Sequence, residues 1–164
     1  MFWLSLFCSV EGNDVLSELL LNSTLSVGGM VTNWWHGNHV DSGISLSSIS
    51  SPYSASTFGK PNDITLSCQG NGPEQGFSYL LEPGWRITIW QSWNNYDSRH
   101  ELRYGGAYPG EISVSCIDDS DYAPMAYTNT GAAAIPVYFI VDAFSSFSGD
   151  FTLEWVLQGF LFSN

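Results

Sequence analysis

WRITIWQSWNNYDSRHELRYGGAYPGEISVSCIDD, residues 85–119, decides the fold class of this chain. Its opening residues alternate between two faces, with Trp85, Ile87 and Ile89 on one and Arg86, Thr88 and Trp90 on the other. Such alternation predicts a half-buried β-strand. Glu101–Tyr104 and Glu111–Ile117 predict two more short strands, because turns rich in Gly and Pro separate them. The stretch therefore predicts a sheet of short strands joined by tight turns.

The sequence on both sides of this stretch repeats the pattern of short apolar segments and turn residues. Asp63–Cys68 and Gly76–Leu81 are predicted strands, and Ile135–Val141 and Asp150–Leu157 are predicted to form a closing hairpin around residues 142–149. The long connection at residues 36–63 is either a binding loop or an ordered strap over the sheet. About eight or nine strands with frequent turns predict an all-β domain, a sandwich or a barrel.

Length and charge limit the classes of function. The chain has 164 residues and a net charge of −12, with only four basic side chains. Such a chain repels phosphate groups, so neither nucleic acid nor an anionic membrane surface is an expected partner. No stretch is apolar enough over a sufficient length to predict a membrane span. The predicted organisation is an N-terminal segment at 1–24 (a signal remnant, a first strand or a short helix), a β-sandwich domain at 25–158 and a tail at 159–164.

Three cysteines, Cys8, Cys68 and Cys116, lack the spacing of a zinc site. At most one disulfide can form, and Cys68–Cys116 is the favoured pair because Cys8 lies in the apolar opening segment. Asn22 begins an N-glycosylation sequon, which has meaning only if a eukaryotic cell secretes the chain.

Asp118, Asp119 and Asp121 lie close together on a predicted turn. Carboxylate and carbonyl oxygens on such a turn are the ligands that Ca²⁺ prefers, so calcium is the one cofactor that the sequence suggests. The competing interpretation is that these side chains accept hydrogen bonds from nearby backbone N–H groups and stabilise the turn.

Five aromatic residues are candidates for a flat binding platform: Trp34, Trp35, Trp90, Trp93 and Tyr96. Sandwich modules that bind carbohydrate present surfaces of this kind, so by analogy a polysaccharide is one predicted ligand. Core packing or contact with a protein partner explains the same residues, because Trp and Tyr are also common in cores and interfaces.

Catalytic motifs are absent from the sequence. His36, His39 and His100 do not have the spacing of a complete metal site, and neither G-x-S-x-G nor H-E-x-x-H occurs. The sequence therefore predicts that this protein is not an enzyme.

The order of these segments resembles the bacterial pre-peptidase C-terminal domain, a secreted accessory module. Four matches carry the resemblance: Tyr96-Asp97-Ser98 to a Tyr/Phe-Asp-Thr turn, Leu102–Gly105 to a Leu-x-x-Gly strand, Ile117-Asp118-Asp119 to an Asn-Asp-Asp turn, and Tyr138–Leu153 to a closing hairpin. The resemblance spans Leu25–Leu157. It implies a β-sandwich of jelly-roll type that has no catalytic apparatus.

The chain departs from the family pattern at two places. Tyr108 stands where family members often carry a cysteine that can pair with the position of Cys116. Arg99-His100-Glu101 replaces apolar residues, which predicts that this edge faces solvent or a partner.

These features predict a secreted, non-catalytic β-sandwich module for protein interaction or assembly at the cell surface. Its predicted partners are other proteins or further copies of the chain. Three alternatives stay open: a calcium-supported carbohydrate-binding module, a structural subunit of an extracellular filament or appendage, and an accessory domain of a secreted hydrolase.

Overall fold

The computed structural model of the chain describes residues 43–159, which form nine β-strands and a 3-10 turn at Leu46–Ser48. In chain order the strands are β1 (Ile44–Ser45), β2 (Tyr53–Ser56), β3 (Gln75–Leu81), β4 (Trp85–Asn94), β5 (Ser98–Tyr104), β6 (Ile112–Ile117), β7 (Met125–Thr128), β8 (Ile135–Ala143) and β9 (Asp150–Gly159). None of these residues forms a helix of the length and apolarity that a membrane crossing requires. Several predicted features lie outside the described residues: the segment 1–24 with Asn22, and Trp34, Trp35, His36 and His39.

The strands build two sheets, with the orders β1-β3-β8-β5-β6 and β2-β9-β4-β7. The short β1 runs parallel to β3, and the other pairings are antiparallel. The pairs β2–β9, β3–β8, β4–β7 and β5–β6 are nested inside one another, as in a long hairpin that has been rolled up. This is the jelly-roll arrangement. The predicted fold class, an all-β antiparallel sandwich of jelly-roll type, is confirmed.

The predicted hairpin between the last two strands is wrong. β8 pairs with β3 and β5, whereas β9 pairs with β2 and β4 in the other sheet. Both strands carry large apolar side chains. These side chains bury the most apolar surface when the two strands lie in opposite sheets and face each other across the core. Residues 144–149 therefore cross from one sheet to the other.

The core lies between the two sheets and follows the predicted alternation. Phe77, Phe139 and Phe151 are buried, and the rings of Phe77 and Phe151 meet edge to face with centroids 6.1 Å apart. Ile87 and Ile89 point into this core from β4, as predicted. Full burial of such a side chain stabilises a fold by about 1.5–3 kcal/mol, so these residues are a main source of stability.

Two β-bulges change which residues share a face. On β4, Gln91 pairs with Leu153 but Trp93 pairs with the preceding residue of β9, so Ser92 is an extra residue. On β6, Val114 is the extra residue, because Leu102 pairs with Ser115 and Arg103 pairs with Ser113. From the sequence, simple alternation predicts that Ile112, Val114 and Cys116 lie on one side of this strand. The second bulge makes that prediction wrong for Ile112, which pairs with Tyr104 whereas Cys116 pairs with Glu101.

The connection between β2 and β3, residues 57–74, is an ordered strap across the outer face of the five-stranded sheet. Its segment Asp63–Cys68, predicted as a strand, contains no strand. Ile64 and Leu66 pack instead against Tyr138 and Ile140 of β8. Apolar and polar side chains alternate in this segment because one side of it packs on the sheet, although the segment is not itself a strand.

Candidate functional site

Three charged side chains on one face of β5 hold the strap by its backbone. Arg99, Glu101 and Arg103 alternate along the strand and therefore point to the same outer face. Their partners are three backbone groups of the strap: the N–H of Ser67, which donates to Glu101 Oε2 at 3.0 Å, the carbonyl of Thr65, which accepts from Arg103 Nη2 at 2.8 Å, and the carbonyl of Gln69, which accepts from Arg99 Nη1. The charged side chains thus replace water as partners of a loop backbone.

Strands β8 and β6 add two further attachments. Asp142 Oδ1 on β8 accepts a hydrogen bond of 2.9 Å from the N–H of Gly72. Cys116 on β6 is joined to Cys68 of the strap by a disulfide, with 5.6 Å between the Cα atoms. This is the pair that the sequence favoured. Cys116 therefore has a disulfide partner in the strap, although Tyr108 stands where members of the pre-peptidase C-terminal family often carry the cysteine that can pair with this position. The strap is therefore fixed to the sheet covalently as well as by hydrogen bonds.

The prediction that Arg99-His100-Glu101 faces solvent or a partner is wrong. Arg99 is 8% exposed, and His100 and Glu101 are both 0% exposed. β5 lies between β8 and β6, so the strap covers its outer side chains and the core surrounds its inner ones. Buried charges require internal partners. Here the strap and its neighbours provide them for Arg99 and for Glu101 Oε2, whereas Glu101 Oε1 has no hydrogen-bond partner among the described residues.

Glu101 and Arg103 form an ion pair with 2.6 Å between Oε2 and Nη2, in which Glu101 is fully buried and the Arg103 side chain is 14% exposed. Burial by itself raises the pKa of Glu101, but hydrogen bonds from Arg103, Ser113 and Ser67 outweigh burial and leave the pKa below its ordinary value. The Glu101 carboxylate is therefore charged at neutral pH, and it keeps the strap attached in that form.

Two of the three aspartates predicted as calcium ligands have protein partners. Asp118 forms a bidentate ion pair with Arg99, in which Nη2 and Oδ2 are 2.9 Å apart. Asp121 Oδ2 accepts a hydrogen bond of 2.6 Å from Asn94 Nδ2, and Asp119 is exposed. Among residues 43–159 no group of three His, Cys, Asp or Glu side chains is placed to hold a metal ion. The calcium site stays a prediction that this geometry does not support.

His100 lies between the sheets in a small polar cluster. Gln91 Nε2 donates to Ser98 Oγ at 2.8 Å and lies 3.4 Å from His100 Nδ1. Burial lowers the pKa of His100, so its ring is neutral at neutral pH. His100 is the sole histidine of residues 43–159, and the structure therefore brings no second histidine beside it.

Trp90 and Trp93 share the outer face of the four-stranded sheet. They are three residues apart, a spacing that normally places side chains on opposite faces, but the bulge at Ser92 restores Trp93 to the face of Trp90. Trp93 is 49% exposed, and the 46% exposed Val156 lies on the same face of β9. Tyr96 packs against the core instead. The structure thus brings together Trp90 and Trp93 of the predicted platform. We call the surface formed by Trp90, Trp93 and Val156 the tryptophan face.

A cavity of 340 Å³ lies where the strap meets the start of β3. Five of its lining residues have polar or charged side chains: Lys60, Asp63, Glu74, Gln75 and Tyr108. Sequence reasoning missed this strap cavity. Glu74 is one of 16 acidic residues in the sequence. No local sequence pattern indicates how the segment that contains it runs over the sheet.

Comparison with known proteins adds one distant similarity. No protein-family model and no curated protein sequence matches the chain. Among solved structures, the chain is similar to the crystal structure of PliG from Aeromonas hydrophila, a periplasmic lysozyme inhibitor of g-type lysozyme. The identity is 12% and the TM-score 0.46, over 70% of this chain and 95% of PliG. Values this low carry no argument about what this chain binds.

Replacement of Glu101 with Ala tests the attachment of the strap. The variant leaves Arg103 without its carboxylate partner, and loss of one member of a buried ion pair costs about 3–5 kcal/mol. We expect the free energy of unfolding in urea to fall by about this amount. Glu82→Ala, at an exposed position of the β3–β4 turn, is the matched control and should change it by less than about 0.5 kcal/mol. Equal losses in both variants would contradict the attachment.

Asp142 makes stability depend on pH. Burial raises its pKa to about 6, although hydrogen bonds from the N–H groups of Ala143 and Gly72 act in the opposite direction. Because the pKa in the unfolded chain is about 3.9, the folded protein holds an extra proton between the two values. The stabilisation from this group is therefore complete below about pH 4 and is lost as the pH rises through about 6.

The variant Asp142→Asn lacks this dependence. The quantity to follow is the free energy of unfolding of the variant minus that of the wild type. This difference should rise by about 2–3 kcal/mol as the pH goes from about 4 to about 7, because only the wild type loses stability there. Chemical denaturation of both proteins across this range measures the difference, and His100 and Glu101 cancel because they titrate in both. A difference that stays constant with pH would show that Asp142 does not titrate in this window.

Proposed function

We propose that this chain is a secreted, non-catalytic β-sandwich module that binds a protein partner through the tryptophan face. The observation that carries the proposal is the placement of Trp90 and Trp93 on one exposed sheet face. Tryptophan is among the residues that contribute most to protein interfaces, because it offers a large apolar surface with few rotatable bonds.

The surroundings of the two tryptophans suit an interface. Ser54 and Thr152 lie on the same face and their hydroxyl groups are 3.4 Å apart, and Thr88 lies opposite Val156. Glu154 lies directly opposite Trp90 on this face, so the patch combines aromatic and aliphatic side chains with a carboxylate and small polar groups. Apolar anchors next to polar groups are common in protein interfaces. Both tryptophans belong to the part of β4 that pairs with β9, so a partner would meet side chains fixed on a paired strand.

Secretion is supported by the Cys68–Cys116 disulfide, because such bonds persist in oxidising compartments. The net charge of −12 favours a partner with a basic surface, since opposite charges accelerate association. Acidic surfaces also keep a secreted module soluble.

A non-catalytic role is supported by the positions of the buried titratable side chains. His100, Glu101 and Asp142 are fully buried, in the core or beneath the strap. Glu101 and Asp142 accept hydrogen bonds from the strap backbone, which occupies the space that a substrate would need. Among the described residues, these groups serve the fold.

Carbohydrate binding is the second candidate function, because a flat aromatic face also suits a sugar ring. The tryptophan face needs no calcium for this, since neither tryptophan is part of the acidic turn. Self-association into a filament, a role as an accessory domain of a hydrolase, and membership of the pre-peptidase C-terminal family remain predictions.

Alanine variants of Trp90 and Trp93 test the proposal. A partner is captured from the extracellular fraction of the native host and purified, and its affinity for each variant is measured by calorimetry. Loss of an interface tryptophan commonly costs about 2 kcal/mol or more, so we expect each variant to bind about 30-fold more weakly. The fold of each variant is checked by thermal melting.

Leu80→Ala is the matched control, because Leu80 is 57% exposed and belongs to the other sheet. It should bind the partner as the wild type does. Loss in Leu80→Ala together with full binding by both tryptophan variants would overturn the proposal. Glycan binding that is lost in the tryptophan variants, with no protein partner captured, would transfer the assignment to the second candidate function.

A further inference from the structure

The strap cavity contains a buried carboxylate that is only half used. Glu74 is 5% exposed, and its Oε1 accepts hydrogen bonds from the N–H groups of Asp63 (2.7 Å) and Ile64 (3.0 Å). Its Oε2 is buried and has no hydrogen-bond partner among residues 43–159. A buried carboxylate oxygen without a donor is costly. Because Glu74 is one of the residues that line the cavity, a donor bound there can satisfy this oxygen.

We propose that the strap cavity is a binding site for a cationic nitrogen group, an ammonium or guanidinium, which donates to Glu74 Oε2. The site goes beyond the proposed function, because the cavity belongs to the strap and the five-stranded sheet and is separate from the tryptophan face. The group can belong to a Lys or Arg side chain of a protein or to a small amine, and both present the same chemistry to the cavity.

The size and shape of the cavity fit such a group. Its 340 Å³ lies at the lower end of the range for ligand pockets, about 300–1,000 Å³, and admits one long side chain or one small molecule. Tyr108 forms part of the wall and can do so because residue 76 is glycine; a Cβ at Gly76 would collide with the Tyr108 hydroxyl. The apolar part of the wall, Pro61 and Ile64, can pack against the methylene groups that carry the cation.

The charges around Glu74 favour a cation. Asp63 and Asp142 both act on Glu74, and together with burial, which is the largest cause, they raise its pKa. Lys60 also lines the cavity but forms no ion pair with any acidic side chain of residues 43–159. The positive charge of an exposed Lys60 is free to move in water, whereas the Glu74 carboxylate is fixed by two backbone N–H groups. Because Lys60 makes no ion pair with Glu74 in the described residues, Oε2 stays open to a second cation.

Binding should depend on pH, because a cation pairs with the ionised carboxylate. The affinity should increase as the pH rises through the raised pKa of Glu74 and then level off, since the cation favours the charged form. The groups that face Glu74 and shape this profile are Lys60, Asp63, Asp142 and Tyr108.

The test is a titration of the whole chain with n-butylguanidinium, followed by NMR at the amides of Asp63, Ile64 and Gly76. The matched neutral probe is n-butylurea, which has nearly the same shape and no charge. We expect saturable shifts at these amides with n-butylguanidinium, at least tenfold weaker binding of n-butylurea, and the pH profile described above. Equal binding of the two probes would overturn the proposal, as would the absence of any shift.

Three variants make the test specific. Glu74→Gln keeps an oxygen for the N–H groups of Asp63 and Ile64 but removes the charge, and should bind n-butylguanidinium at least tenfold more weakly. Asp119→Asn makes the same change of charge at an exposed residue outside the cavity and should bind as the wild type does. Lys60→Met removes a competing positive charge and should bind several-fold more tightly. Wild-type affinity in Glu74→Gln, or no binding by Lys60→Met, would contradict the site.

A peptide arm identifies the source of the cation. Acetyl-Gly-Arg-Gly-amide carries the same guanidinium on a protein backbone. Binding as tight as that of n-butylguanidinium supports the site and assigns it to a protein side chain, and binding of n-butylguanidinium alone supports the site and assigns it to a small amine. The result is independent of the tryptophan face, so failure of the cavity leaves the proposed function intact and failure of the tryptophan variants leaves the cavity intact.

Discussion

The charged side chains of β5 and the backbone of the strap depend on each other. Arg99, Glu101 and Arg103 could not be buried without hydrogen-bond partners, and a strap with no regular structure could not cover a sheet with unsatisfied N–H and carbonyl groups. Each side meets the other's requirement. The buried position of β8, whose outer residues lie beneath the strap, follows from this arrangement.

The strap makes the two outer faces of the sandwich unequal. It covers part of the outer face of the five-stranded sheet, where Leu80 stays exposed, and it creates the strap cavity at its end, at Glu74. The outer face of the four-stranded sheet carries no such cover from the described residues and exposes Trp93 and Val156. A partner therefore meets aromatic and aliphatic side chains on one face and a small acidic cavity on the other. This division is the physical basis for proposing two separate binding surfaces.

The fold class could be predicted because apolar alternation depends only on neighbouring residues. Ile87 and Ile89 on β4, and Phe151 and Leu153 on β9, point inward as their spacing indicates. The predicted hairpin failed because two apolar strands and a short connection look the same whether the strands pair or face each other across a core. The burial of Arg99 and Glu101 could not be predicted, since it depends on a strap about 30 residues earlier in the chain.

The candidate surfaces show the same limit. Trp90 and Trp93 were both predicted for a platform, but alternation alone would separate them, and only the bulge at Ser92 places them together. Tyr96 was grouped with them by proximity in sequence, although its ring packs on the core. Glu74 had no signal at all, because the missing partner of its Oε2 is a property of the folded cavity.

Native-state hydrogen exchange at the strap tests the central claim most directly. The N–H groups of Ser67 and Gly72 have no strand or helix partner, and their acceptors are the carboxylates of Glu101 and Asp142. If these carboxylates hold the strap, both amides exchange at least about 100-fold more slowly than in an unstructured peptide, because exchange then requires the strap to open. Exchange at the rate of a free peptide, with the amides of β4 and β9 still protected, would contradict the account.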